Sequence, residues 1–200
     1  MGLNAAKRLR QEAGPGEMYN IPPDLQHLLR ACKVLIVDDE ACTRKVIRAL
    51  LIAIGVEHIY DANDGPNGLE AIRSVVPDLV FLDWEMPGMD GPAFVRTVRS
   101  PGNFPVSNVP IVMLTGHGER WRVVEAVKLG VNEYLLKPVS IKSVLDRVTA
   151  VLTRPRPIIH SGDYYGPQPR RLSEYKPEVE ESLVAAESRP EECEKILLLN

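Results

Sequence analysis

The chain is predicted to fold as an α/β domain built on a doubly wound parallel sheet, and three observations predict it. Four short apolar runs each end in a chemically distinct residue: Val34–Val37 before Asp38-Asp39, Leu79–Leu82 before Asp83, Ile111–Leu114 before Thr115, and Tyr134–Leu136 before Lys137-Pro138. These runs are rich in β-branched residues and show no polar alternation, the pattern of strands covered on both faces. Segments of helical periodicity separate them, and alternating strands and helices joined by right-handed crossovers make a doubly wound sheet the default topology.

Each element follows from local chemistry. After Asp39, residues 40–54 place Val46, Ile47, Leu50, Leu51 and Ile54 at helical spacing, and Gly55 ends the run. His58–Tyr60 is a weak second strand. Asn63-Asp64-Gly65 is a turn into a helix through Ile72, stopped before Pro77. Gly91-Pro92 opens the next helix, because proline is tolerated in a first turn. Residues 100–110 contain three prolines and read as a loop. Arg120–Leu129 is helical with Gly130 as its stop, and Ser140 caps a last helix running to about Leu152. Five strands and five flanking helices are thus expected within 33–153.

The flanks differ in composition. Residues 1–32 form an N-terminal extension with two helix-prone pieces, Ala5–Glu12 and Asp24–Arg30, separated by Gly14-Pro15-Gly16. Leu25, Leu28 and Leu29 are expected to pack one apolar stripe on the domain, with the pairing of two chains as the alternative. Residues 154–200 hold six prolines and an acidic end, and read as a mostly extended tail without a separate effector domain. One helix is expected there, from Glu178 to Glu187. Tyr164-Tyr165-Gly166-Pro167 and Ile196–Leu199 stand out as candidate docking segments.

Bulk composition excludes several classes. A net charge of −3 argues against a nucleic-acid footprint, which is ordinarily basic. No apolar stretch approaches the roughly 18 residues of a membrane span, and no signal-peptide pattern follows Lys7 and Arg8. Cys32, Cys42 and Cys193 form no CxxC pair and are expected as free thiols of a cytoplasmic protein.

In parallel sheets ligands bind beyond the carboxyl ends of the strands, so Asp38, Asp39, Asp83, Thr115 and Lys137 are expected on one rim. Clustered carboxylates suit a hard divalent cation such as magnesium, which takes oxygen ligands and retains waters. A lysine beside them balances charge and grips a phosphoryl oxygen as a point charge. A carboxylate nucleophile forming an acyl phosphate is an established option for phosphoryl transfer, and Asp83, apart from the Asp38-Asp39 pair, is the candidate nucleophile. Each aspartate alone could be a turn former or cap. Their coincidence with Lys137 at matching strand ends is what argues for a site.

Four ordered motifs carry a resemblance: Val34–Glu40, Leu79–Gly91, Met113–Gly116 and Tyr134–Pro138. They resemble the receiver domain of two-component response regulators, over roughly residues 33–153. The resemblance implies a flavodoxin-like sheet of order 2-1-3-4-5. It implies a phosphoryl group passed from a histidine kinase or phosphotransfer protein onto Asp83. Asp39 and Asp83 would bind Mg2+ through their side chains, Asp38 through water, and Glu85 through its backbone carbonyl. Thr115 and Lys137 would hold the phosphoryl oxygens. Tyr134 would be the switch aromatic, rotating inward as Thr115 moves, and Lys137-Pro138 a cis bond. The carboxylate of Glu85 is expected to bear on acyl-phosphate lifetime, and His117 reads as a loop residue rather than a ligand.

A phosphoacceptor signalling protein rather than an enzyme is the resulting expectation, with residual autophosphatase activity compatible with it. The output expected is a switched surface for a downstream protein, or onward relay, with phosphorylation-dependent dimerisation left open. A DNA-binding transcriptional regulator with a minimal or partner-supplied effector is the alternative. Against it, residues 154–200 offer seven Lys/Arg against nine Asp/Glu and at most one helix, whereas a helix-turn-helix effector needs several.

Overall fold

The computed structural model describes residues 21–169, apart from 101, 103–105, 117, 119 and 163. The expected helices at 5–12 and 178–187, the segment 196–199, and His117 and Cys193 lie outside the described residues.

Five parallel strands form one sheet: β1 (Lys33–Val37), β2 (His58–Ala62), β3 (Leu79–Asp83), β4 (Ile111–Thr115) and β5 (Glu133–Leu136). Their order is β2-β1-β3-β4-β5. Preceding them is α1 (Pro23–Ala31). Between and after them run α2 (Ala41–Ala53), α3 (Gly65–Val75), α4 (Gly91–Val98), α5 (Arg120–Leu129) and α6 (Ile141–Thr153).

Alternate residues of each strand serve opposite faces, as the period of two requires. Leu35, Val37, Val80, Leu82 and Met113 pack with Ile72, Phe94, Val95, Val123 and Ala126 of α3, α4 and α5. Val34, Ile36, Phe81, Val112 and Leu114 pack with Leu29, Ile47, Leu51, Val144 and Val148 of α1, α2 and α6. Phe81 and Phe94 are fully buried, each contributing roughly 2–3 kcal/mol by area removed from water. Of the expected N-terminal stripe, Leu29 is buried and Leu25 packs beside it, but Leu28 is 45% exposed. The helix turns its side chain away from the core.

Helix starts carry the caps their sequences encode. Asp64 accepts from the Asn67 amide at α3, and Asp90 from the Ala93 amide at α4. Ser140 and Ser143 form a reciprocal capping box at α6. Each cap satisfies amides that the first helical turn leaves without a backbone partner.

One expectation is corrected. The stretch after α6 is not simply extended: β6 (Ile158–Ser161) and β7 (Tyr164–Pro167) pair as an antiparallel hairpin. Gly162 supplies a positive φ of 58° at its turn. Proline content argued for an open chain, but Pro155 and Pro157 precede the pairing and Pro167 closes it. The hairpin docks on the edge opposite the rim. The Tyr165 hydroxyl donates to Asn108 Oδ1 at 2.8 Å, and Arg156 donates to the carbonyls of Val131 and Asn132. Cys32 is a free thiol as expected, and its burial pushes the thiol up to about 12.

Candidate phosphoryl-transfer site

The carboxyl ends of β1, β3, β4 and β5 bring five of the sequence-predicted residues to one rim. Asp38, Asp83 and Thr115 are buried there, whereas Asp39 is exposed. Ligand oxygens of Asp38, Asp39 and Asp83 all lie within 4.8 Å of one another. The Lys137 amide donates to the Thr115 carbonyl at 2.7 Å, which extends the β4–β5 pairing past the strand end. The Lys137-Pro138 peptide is cis. The Lys137 ammonium bridges the other strands, with Nζ 2.9 Å from Asp38 Oδ2 and 2.9 Å from Asp83 Oδ1.

Backbone donors complete the carboxylates' environment. The Glu40 amide donates to Asp38 Oδ1 at 2.8 Å, and the Trp84 amide to Asp83 Oδ1 at 2.9 Å. Burial nonetheless dominates at Asp83: desolvation pushes its carboxyl up to about 6, against the pull of Lys137. Burial raises Asp38 as well, and Lys137 offsets this only in part. Desolvation pulls the Lys137 ammonium down, but the Asp83 hydrogen bond and the two carboxylate charges outweigh it, so its net shift is upward.

The donor set fits magnesium on chemical grounds. All three side-chain groups are hard oxygen ligands, and the exposure of Asp39 leaves room for the waters that Mg2+ keeps. A soft or nitrogen-preferring metal would find neither cysteine nor histidine in this cluster.

The other predicted residues are placed as follows. Glu85 follows two residues after Asp83 with its side chain 59% exposed, turned onto Arg122. Tyr134 is buried in the layer that holds Trp84, Val123 and Ala126, so in this structure the ring already lies inside.

Sequence reasoning missed four supporting residues. Arg44 donates from Nη1 to the carbonyls of Asp38 and Asp39, at 2.7 and 3.0 Å, and so fixes the first acidic loop. At Gly91 the amide donates to the Trp84 carbonyl at 2.9 Å, and a Cβ would stand 2.4 Å from the Asp83 carbonyl oxygen. Arg99, almost fully buried, donates to the carbonyls of Gly130, Ser107 and Val109, and burial lowers its guanidinium to about 10. Arg122 ion-pairs with Glu85 and stacks on both tryptophans. Only Gly91 had a visible signal, a second glycine in the Gly88-Met89-Asp90-Gly91 turn. Nothing in the sequence around the three arginines marks their partners.

The chain is similar to known proteins. Residues 34–149 match the response regulator receiver domain, and the chain belongs to that family. It is 33% identical over 122 residues to the chemotaxis protein CheY of Pseudomonas aeruginosa, spanning 61% of this chain and 97% of that protein. It is 39% identical over 122 residues to a probable transcriptional regulator, ycf27, of Guillardia theta, covering 61% of this chain but 46% of that one. Among solved structures, a Vibrio cholerae chemotaxis protein, CheY4, superimposes with a TM-score of 0.55 at 30% identity, over 60% of this chain and 98% of the other. A response regulator from Chloroflexus aurantiacus gives 0.56 at 30% identity, over 62% and 98%.

Proposed function

We propose that the protein accepts a phosphoryl group on Asp83 from a histidine kinase or phosphotransfer protein, and that the acyl phosphate switches a protein-binding surface. The observation that carries this reading is the convergence of Asp38, Asp39 and Asp83 within 4.8 Å, with Lys137 bridging two of them. A phosphohistidine donor would lie in line with an Asp83 oxygen. The oxygen–phosphorus bond forms as the phosphorus–nitrogen bond breaks, and the imidazole leaves with the electron pair. Lys137 moves its hydrogen bonds from carboxylate to phosphoryl oxygen, and the Thr115 hydroxyl donates to another.

Asp39 and Asp83 would hold Mg2+ through their side chains, Asp38 through water and Glu85 through its carbonyl. Bound there, the ion supplies neutralisation of charge on the carboxylates and phosphoryl oxygens. Without it, three carboxylates face a dianionic donor with only one lysine to offset them.

The output we favour is binding of a downstream protein, or onward relay, in the cytoplasm. No helix among the described residues is long and apolar enough to cross a membrane. Similarity to the Guillardia regulator keeps transcriptional control as a second reading. The described residues after α6 form a hairpin rather than helices, which favours the first.

The deciding experiment follows Trp84 fluorescence, adjacent to Asp83, through titration with magnesium and then beryllofluoride or acetyl phosphate. A saturable change lost in Asp83→Asn, with a phosphorylated species by intact mass, supports the reading. No phosphorylated species means a receiver used as a constitutive binding module.

A further inference from the structure

We infer that Arg44 is a positioning residue for the divalent cation, holding the Asp38-Asp39 backbone so that the Asp39 carboxylate stands ready at the rim. This rests on the magnesium reading above. The three carboxylates of the cluster are not held alike. Lys137 Nζ lies 2.9 Å from one oxygen of Asp38, and the Glu40 amide donates to the other at 2.8 Å. Lys137 Nζ and the Trp84 amide both lie 2.9 Å from Asp83 Oδ1. Among the described residues, no hydrogen bond or ion pair holds the exposed Asp39 carboxylate. Its place at the rim follows from its main chain.

Arg44 controls that main chain. Parallel pairing of β1 with β2 ends at Val37, and α2 begins at Ala41, so the carbonyls of Asp38 and Asp39 have left the sheet and not yet joined the helix. Such groups need another donor. Half-buried Arg44, in the first turn of α2, supplies it: the two hydrogens of Nη1 serve both carbonyls, at 2.7 and 3.0 Å. The helix that follows the acidic loop thus reaches back and fixes it. Groups that orient metal ligands typically contribute about tenfold to a hundredfold to metal affinity, and Mg2+ demands near-ideal octahedral geometry. Charge acts in the opposite direction. A guanidinium beside a cation site repels the cation, so by charge alone the loss of Arg44 would tighten Mg2+ binding. Positioning and repulsion therefore predict effects of opposite sign.

The test titrates the full chain with Mg2+ and follows the backbone amide resonances of Glu40 and Trp84 by NMR, with urea unfolding in EDTA run on the same variants. Arg44→Gln should weaken Mg2+ binding about tenfold, the low end for an orienting group. Arg44→Lys, whose ammonium still donates to carbonyls, should lose less. Tighter binding in Arg44→Gln would show that repulsion is the whole effect, and unchanged affinity with lowered stability would show that Arg44 serves the fold alone. Either result overturns the inference. A wild type that binds no Mg2+ overturns the magnesium reading, and with it this one. The titration does not read phosphoryl transfer, so a chain that binds Mg2+ and takes no phosphoryl group defeats the phosphoacceptor reading alone.

Discussion

The Lys137 ammonium stands 2.9 Å from Asp83 Oδ1 and also 2.9 Å from Asp38 Oδ2, so one cation ties the ends of three strands together. Its side chain is 23% exposed, whereas that of Asp38 has no exposure at all. Removing one partner of such a group leaves the others buried without compensation. Lys137→Met should therefore destabilise the metal-free protein by about 2 kcal/mol, taken low in the range because water reaches the lysine. Urea unfolding in EDTA checks this. Added Mg2+ should recover part of the loss, and a variant as stable as wild type in EDTA would show that the ion pairs do not support the fold.

The raised Asp83 carboxyl predicts opposite pH trends with and without metal. Its folded value of about 6 lies above the unfolded value of about 3.9, so the folded state holds the proton more tightly. Between those values the unfolded chain binds fewer protons, and this group's contribution makes metal-free stability fall as pH rises. Magnesium must displace that proton. Its apparent affinity should drop by up to about tenfold per unit below pH 6 and level off above it. Trp84 fluorescence titrations at pH 5 and 7.5 would read the difference, and equal affinities would count against burial as the controlling influence.

Gly91 cannot gain a side chain without moving the site. A Cβ there would meet the Asp83 carbonyl oxygen at 2.4 Å and the Trp84 Cα at 3.0 Å. Both contacts are backbone, so neither can swing aside. Gly91→Ala should cost about 2 kcal/mol and slow phosphorylation of Asp83. Chemical denaturation together with intact-mass kinetics would test both parts. The same substitution at Gly88, where nothing lies within 4 Å but φ is +78°, should cost only about 1 kcal/mol and spare the rate.

The hairpin's docking should be measurable at two residues. Tyr165→Phe removes the hydrogen bond donated to Asn108 and the longer one accepted from Ser107, and should cost about 1 kcal/mol. Arg156→Ala removes donors to the carbonyls of Val131, Asn132 and Gln168, and should cost more, about 2 kcal/mol. Thermal unfolding of the two variants would rank them. Stability unchanged by Arg156→Ala would mean that the hairpin adds nothing to the fold.

What could be read without coordinates were the strands and the residues that end them. An apolar run covered on both faces leaves little alternative but a parallel sheet, and a parallel sheet directs its strand ends to one rim. Asp38, Asp39, Asp83, Thr115 and Lys137 were legible for that reason, as were the turn at Asp64 and the cap at Ser140, whose chemistry is local. The receiver resemblance added the strand order, which periodicity alone leaves open.

The residues decided only in three dimensions are those whose partners lie far along the chain. Glu85 and Arg122 are 37 positions apart, and Arg99 bonds a carbonyl 31 positions away. An arginine on a helix carries no sign of whether it faces water, a tryptophan pair or a set of orphaned carbonyls. The same holds for Tyr165: its hydroxyl acquires a role only because the chain returns past α6 to reach Asn108. The sequence by itself determined where the reactive groups sit, because strand ends are fixed by local hydrophobic pattern. The tertiary structure decided what holds those groups in place, because burial and long-range pairing set the energy of each charge.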